Sequence, residues 1–305
     1  LMQAFLVDSS IYIFRSYFTL PDNWHSADLN MSTNAVYGFT NFMLDILRQK
    51  NPTHILCAFD ESLESGFRHQ LAPDYKANRE LPDEALAFQL NACRQVCRVL
   101  GVTEIASKIY EADDLIGSMA KIAGDADIQP IIVSRDKDLM QLIGNNELYW
   151  DFGRSQPQAQ KELERTLELG CHQMADYLAL VGDASDNIAG IAGIGKKTAK
   201  QLLSHFSDIE SILEHLDQLE GLPIRGAKKL ADRFAGNQDQ LVLSKLLATI
   251  ETDIKDMPDI DQIKWRGVQE QAFELFAEEM GFGSTFSSRL ADLKKRQLGS
   301  VMGIN

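Results

Sequence analysis

Three short apolar runs organise the first half of the chain, and each leads into aspartate. Residues 4–7 end at Asp8, residues 54–59 end at Asp60, and residues 130–134 are followed by Asp136 and Asp138. Runs of this length and composition read as strands buried on both faces. A fourth, weaker run covers residues 147–150. Helical periodicity lies between them. Residues 33–48 place Val36, Phe39, Phe42, Met43 and Ile46 on one side. Residues 83–100 run up to Gly101 as a stop signal, and residues 111–123 carry three acids in their first turn. Alternating strands and helices predict an α/β domain with a largely parallel sheet. Functional groups in such sheets gather at the carboxyl ends of the strands. Asp8, Asp60, Asp136 and Asp138 all fall there.

After about residue 161 the strand signal fades. Helical stretches are expected at 161–169, 172–181, 196–206, 209–216, 227–234, 238–249, 268–280 and 287–296. No run of eighteen apolar residues exists in the sequence, so no membrane partner is expected. The start, LMQAFLVDSS, has neither the basic opening nor the long apolar core of a signal peptide. Cys57, Cys93, Cys97 and Cys171 show no CxxC pairing and read as buried thiols. A reducing cytoplasm fits them. A net charge of −14 argues superficially against nucleic acid. It ceases to do so if the acids cluster around bound cations.

The stretch 182–199, GDASDNIAGIAGIGKKTA, holds two kinds of chemistry. Asp183 and Asp186 are spaced to share a face of one helical turn. Gly190, Gly193 and Gly195 then permit a tight turn with close backbone approach. The following helix N-terminus, with Lys196, Lys197 and Lys200, could cradle a phosphate. The spacing fits neither a Walker A loop nor a dinucleotide fingerprint. A sequence-independent clamp on a DNA backbone fits better.

The carboxylates Asp8, Asp60, Glu111, Asp113, Asp114, Asp136, Asp138, Asp183 and Asp186 each have an ordinary reading as caps or turn residues. Gathered together they would repel, unless divalent cations neutralise them. All-oxygen ligation suits Mg²⁺ or Mn²⁺. Two such ions can stabilise the attacking and leaving oxygens of a phosphoryl displacement. No Ser/His/Asp or Cys/His pattern competes. The segment 61–82 has no clear periodicity and carries Phe67, Arg68, Tyr75, Lys76 and Arg79. It is either a solvated loop or a lid whose cations meet substrate phosphates and whose aromatics stack on bases.

These pieces resemble the 5′-nuclease (flap endonuclease) superfamily, and most closely the 5′–3′ exonuclease domain of bacterial DNA polymerase I. The matching segments are LVDSSIYIFRSYF, AVYGF, AFDES, FRHQLAPDYKANR, YEADDLIGSMA, IVSRDKDLMQLI and LVGDASDNIAGIAGIGKKTAKQLL, in that order. The resemblance implies a PIN-like α/β nuclease domain over 1–180 with a helical arch at about 61–90. It implies a helix–three-turn–helix DNA-binding domain over 181–262, and a C-terminal helical segment over 263–305 that packs back on the nuclease domain. It implies two or three Mg²⁺ or Mn²⁺ ions on the nine acids, and catalytic roles for Lys76 and Arg79. DNA contacts would come from Arg68, Tyr75, Gly190, Gly193, Gly195, Lys196, Lys197, Thr198 and Lys200. A potassium ion would sit on backbone groups of Ile188, Ile191 and Ile194. The implied activity is cutting of 5′ flaps, 5′ ends and nicked or gapped DNA, with RNA primers as further substrates. A cytoplasmic, nucleoid-associated bacterial monomer would then be expected. Arg135 and Ala189 stand where the family pattern has a small residue and a proline. The alternatives are a PIN-like ribonuclease, against which residues 182–250 speak, and a non-catalytic DNA-binding homologue.

Overall fold

The computed structural model describes residues 2–62 and 65–301. Leu63 and Glu64, inside the expected arch, and residues 302–305 lie outside the described residues. The first half runs β1 (Gln3–Asp8), α1 (Ser9–Thr19), α2 (Asn34–Lys50), β2 (His54–Asp60), α3 (Phe67–Leu71), α4 (Glu84–Val99), β3 (Thr103–Ser107), α5 (Ala112–Asp125), β4 (Gln129–Val133) and β5 (Leu148–Trp150). The strands form one sheet in the order β3-β2-β1-β4-β5. Every pairing is parallel. The order reverses direction beside β1, and a crevice opens at such a switch point outside the carboxyl ends of the strands.

Side chains alternate across the sheet with period two. Phe5, Val7, Ile55, Cys57, Phe59, Ile131 and Val133 face one core; Ala4, Leu6, Leu56, Ala58 and Ile132 face the other. Elements not foreseen include β3 and α1. β3 is half-buried along its whole length, so it carries no apolar run. α1 follows β1 without an intervening turn residue and buries only Ser9, Tyr12 and Ile13. Its mixed sequence hides the period.

The second half is helical: α6 (Gln160–Leu167), α7 (Met174–Val181), α8 (Lys196–His205), α9 (Ile209–Glu214), α10 (Leu230–Ala235), α11 (Gln238–Ala248), α12 (Glu270–Glu279) and α13 (Ser287–Val301). Leu178, Leu180, Ile188, Ile191, Ile194, Leu202, Phe234 and Leu247 belong to the same core as Leu6 and Leu56. The turn between α7 and α8 is therefore anchored through continuous packing to the sheet. On the opposite sheet face, Phe273, Phe276 and Phe286 complete the core formed with Phe39, Met43 and Val96. Each such buried aromatic contributes roughly 1.5–3 kcal/mol by leaving water. All four cysteines are free and buried. No helix among the described residues is long and apolar enough to cross a membrane.

Candidate active site

The acids come together because the parallel sheet ends its strands on one edge. Asp8 closes β1 and Asp60 closes β2. Glu111 caps α5, and Asp113 lies in that helix's first turn. Asp136 begins the short 3₁₀ turn after β4 and accepts from the Asp138 N–H at 2.9 Å. Two serines, neither foreseen, brace these groups. The Ser134 hydroxyl donates to Asp8 Oδ2 at 2.7 Å and accepts from the Asp136 N–H at 2.9 Å. The Ser10 hydroxyl and the Ala112 N–H both donate to Asp60, each at 2.9 Å. Their only sequence signal is adjacency to an acid-bearing turn.

The carboxylates perturb one another. Burial pushes Asp8 up to about 7 against the pull of the Ser134 hydrogen bond, and Asp60 and Asp136 add to the rise. Burial, then Asp8, Asp136 and Asp60, hold Asp113 well above the usual carboxylate range. Burial raises Asp136, with Asp186 and Asp183 adding to it. Asp138 is pushed up to about 7 by burial first, then by Asp136, Asp183 and Asp186. Groups from β1, β2, α5, the turn after β4 and the turn after α7 thus share one field.

Asp183 and Asp186 do not lie on a helical turn, as their spacing had suggested. α7 ends at Val181, and Gly182 leaves it at φ 79°. Asp183 and Ile188 then exchange both backbone hydrogen bonds, at 2.9 and 2.8 Å. Asn187 takes the left-handed φ of 55° that closes this turn. Asp183 Oδ1 is tied to the Ser185 N–H at 2.8 Å. Asp186 is aimed across the crevice.

The segment expected to be a loose loop or lid is folded onto that turn. Lys76, at φ 54°, donates its N–H to the Asp186 carbonyl at 3.0 Å. Its ammonium stands 2.8 Å from Glu111 Oε2 and 3.5 Å from Asp186 Oδ2. Arg79 pairs with Asp186 Oδ1 and donates through Nε to the Ser185 carbonyl at 3.3 Å. Asn78 donates to the Ala184 carbonyl at 2.7 Å, and Asn187 returns the contact to the Asp74 carbonyl at 2.6 Å. Burial works against the Lys76 charge, but Glu111 and Asp186 outweigh it and raise its pKa.

Three sequence expectations need correction. Tyr75 is not available to stack on bases: it is 2% exposed, and its hydroxyl lies 3.2 Å from both Glu111 Oε2 and Asp186 Oδ2. Arg68 is not a surface phosphate contact: it is 3% exposed and grips Asp114 through both terminal nitrogens, at 2.7 and 2.8 Å. Asp114, expected among the metal-facing acids, is fully buried and has no acceptor site left for a cation. Its oxygens already accept from Arg68, from the Glu111 N–H at 3.0 Å and from the Glu251 N–H at 2.8 Å. Those donors fill a carboxylate's acceptor sites.

Beyond Asp186 the chain turns into α8. A Cβ on Gly190 would lie 2.4 Å from the Val181 carbonyl carbon, so only glycine allows this backbone crossing. Gly193 has φ 81°, and its carbonyl accepts from Arg233 Nη1 at 3.0 Å. Gly195 caps α8 without a side-chain bond. Lys196 and Lys197 are exposed, while Thr198 and Lys200 are half-buried. Lys200 pairs with Glu168 at 3.2 Å. The Ile188 and Ile191 carbonyls accept from the N–H groups of Asp183 and Ile194, and each keeps a second lone pair. All three isoleucine side chains are buried.

Beneath the 73–82 segment lies a cavity of about 420 Å³, lined among others by Phe14, Asp60, His69, Lys76, Arg79 and Glu111. Among the described residues, no three His, Cys, Asp or Glu side chains are already gathered closely enough to hold a metal ion. Lys76 and Arg79 lie against Glu111 and Asp186 instead. The all-oxygen donor set and the raised pKa values of Asp8, Asp113, Asp136 and Asp138 still fit hard divalent cations, which would relieve the repulsion.

Residues 3–168 match the family model described as 5′–3′ exonuclease, N-terminal resolvase-like domain. Residues 169–271 match 5′–3′ exonuclease, C-terminal SAM fold. The chain is 34% identical over 250 residues to a 5′–3′ exonuclease of Buchnera aphidicola subsp. Schizaphis graminum, covering 82% of this chain and 86% of that protein. It is 34% identical over 295 residues to DNA polymerase I of Bacillus subtilis, covering 94% of this chain and 32% of the polymerase. The chain thus spans about a third of the length of its DNA polymerase I relatives. Its fold is similar to T5 5′-exonuclease with bound divalent metal ions (zinc), at TM-score 0.65 and 17% identity over 96% of this chain and 98% of that one. It is also similar to the catalytic core of Rad2 in complex with DNA substrate, at TM-score 0.63 and 13% identity over 96% and 92% of the two chains.

Proposed function

The chain belongs to the 5′–3′ exonuclease family, and from that premise we propose that it is a structure-specific nuclease acting at 5′ flaps and 5′ ends of DNA, leaving a 5′-phosphate and a 3′-hydroxyl. The observation that carries this reading is the single acidic edge. Asp8, Asp60, Asp113 and Asp136 share one field there with Asp183 and Asp186, and the same turn leads on to exposed Lys196 and Lys197. The T5 relative's divalent metals and the Rad2 complex's DNA support bringing metal and DNA to this site.

Asp8, Asp60, Glu111 and Asp113 would hold one Mg²⁺ or Mn²⁺, and Asp136, Asp138, Asp183 and Asp186 another. When bound, such ions lower the pKa of a water and neutralise charge on a phosphodiester. The chain's own groups do the positioning. Ser134 and Ser10 fix the Asp8 and Asp60 carboxylates. Lys76 and Arg79, released from Glu111 and Asp186, meet negative charge developing on the scissile phosphate. The N-terminus of α8 and its lysines hold the duplex backbone without reading bases. A potassium ion on the free lone pairs of the Ile188, Ile191 and Ile194 carbonyls would stiffen that turn. We place the nuclease domain at 1–180, its arch at about 61–90, the DNA-binding domain at 181–262 and the returning segment at 263–305. RNA primers as substrates, a monomeric state and a cytoplasmic site of action belong to the same reading.

The test is a labelled 5′-flap duplex incubated with the wild type, Asp113→Asn and Asp186→Asn, in Mg²⁺ and in EDTA. Cleavage is expected only for the wild type in Mg²⁺, with the variants slower by a hundredfold or more, on the order of what a lost charge-stabilising group costs. An intact flap in Mg²⁺, or variants that cut equally well, would overturn the reading.

A further inference from the structure

Arg68 was expected at the surface and is instead the most enclosed cation near the acidic edge. It joins three segments that are distant in sequence. From α3 it sends a bidentate fork to Asp114 on α5. Its Nε donates to the Leu247 carbonyl at 2.8 Å, and Nη2 also donates to the Thr249 carbonyl at 2.7 Å. Asp114 completes the junction by accepting from the Glu251 N–H. Burial disfavours the Arg68 charge, but Asp114 and then Glu111 outweigh it and hold its pKa above the ordinary value.

The junction bears directly on Glu111. Asp114 Oδ2 accepts the Glu111 N–H at 3.0 Å, closing a capping box at the start of α5. The same oxygen takes Arg68 Nη1 at 2.7 Å, and that nitrogen stands 3.7 Å from Glu111 Oε2. The backbone and the carboxylate of Glu111 are thus both referred to one guanidinium. A lysine could supply the charge there, but not a planar fork serving two carboxylate oxygens and two carbonyls.

We propose that Arg68 is a positioning residue: its pair with Asp114 fixes Glu111 against the 247–251 segment, and so sets how tightly the acidic edge takes a divalent cation. This rests on the reading that Glu111 faces metal. Groups that orient metal-facing side chains typically change metal affinity or activity by about 10–100-fold when removed. A merely structural role would lower stability and leave the metal affinity of the folded protein alone.

Two variants separate these roles. Arg68→Lys keeps the charge and loses the fork. The double variant Arg68→Met with Asp114→Leu replaces the ion pair by apolar groups of similar volume and avoids the unpaired buried charge that a single substitution would leave. Mn²⁺ binding is followed by electron paramagnetic resonance on the full chain, at a temperature where circular dichroism shows each protein folded. DNA affinity is read in Ca²⁺ by anisotropy, and kcat and KM on the flap duplex in Mg²⁺. We expect Mn²⁺ affinity to fall by about tenfold or more in both variants, with kcat reduced and DNA affinity within twofold of wild type, because the α8 lysines are untouched. Mn²⁺ affinity within twofold of wild type in either folded variant overturns the proposal, and so does a loss confined to DNA affinity. A wild type that binds no Mn²⁺ and cuts no flap brings down the nuclease reading, and this inference with it.

Discussion

Replacing Asp138 by asparagine should make the metal-free protein more stable and the metal-loaded protein less stable. The carboxylate of Asp138 accepts no hydrogen bond among the described residues; only its backbone is bonded, to Asp136 and Gln141. The substitution therefore removes charge without orphaning a partner. In the wild type, burial together with Asp136, Asp183 and Asp186 lifts this group from 3.8 to about 7. A carboxyl whose pKa is higher folded than unfolded binds its proton more tightly in the folded state. Its penalty is absent below pH of about 4, grows as pH rises towards 7, and is complete above that. At 1.36 kcal/mol per pH unit, a rise of about three units caps the penalty at about 4 kcal/mol. Partial contact with water reduces it, so about 2 kcal/mol is expected at pH 8. A cation bound at a hundred times its Kd returns about 2.7 kcal/mol. For a chain of this size 1 kcal/mol moves Tm by roughly 2–4 °C. Melting curves of wild type and Asp138→Asn at pH 5.5 and 8, in EDTA and in Mg²⁺, read both effects. Buried His54, whose pKa is lowered chiefly by burial, is common to both proteins and cancels between them. The variant should melt several degrees higher in EDTA at pH 8, and the order should reverse in Mg²⁺. A variant that melts lower in EDTA, or Mg²⁺ stabilising both proteins equally, would refute the cation-driven account of this cluster.

Two further outcomes follow from the turn and α8. Exposed Lys196 and Lys197 exchanged together for glutamate should weaken DNA binding and flatten the slope of log affinity against log salt by roughly 0.9 per lost phosphate contact; kcat at saturating DNA should hold, and a fall in kcat alone would place these lysines in the chemistry instead. Gly190→Ala drives a Cβ to 2.4 Å from the Val181 carbonyl carbon, and overpacking of this kind costs about 1–3 kcal/mol. A lowered Tm together with weakened duplex binding is expected, and a fully stable variant with wild-type anisotropy would show that the backbone crossing is not needed.

The strands that carry the site were legible because buried parallel strands are the least ambiguous elements in a sequence. Residues 4–7, 54–59 and 130–134 each match an observed strand to within two residues, and the acids that follow them needed only the rule about carboxyl ends. β3 escaped because an edge strand with half-buried residues leaves no apolar run. α1 escaped because its acid-capped start overlaps the end of β1. The spacing of Asp183 and Asp186 is as consistent with a helical turn as with the bridged turn observed, and Gly182 at φ 79° decides between them.

Charge type is written in a sequence; charge partnership is not. Arg68, Lys76 and Arg79 are equivalent cations in a polar segment until the fold pairs them. Arg68 then meets Asp114 in the interior, and Lys76 meets Glu111 and Asp186 at the crevice. A lone buried charge is too costly to persist, so each cation's depth follows from the acid it finds. Asp114 and Asp113 are adjacent on α5, yet one is fully enclosed by Arg68 while the other faces Asp8, Asp136 and Asp60. One residue of helical rotation, about 100°, separates the acid that holds the scaffold from the acid that faces the crevice. The same partition is compatible with the DNA-binding face proposed above for a chain of net charge −14. Part of its negative charge lies where Arg68, Lys76 and Arg79 stand against it. The exposed lysines of α8, Lys196 and Lys197, stand on a different element.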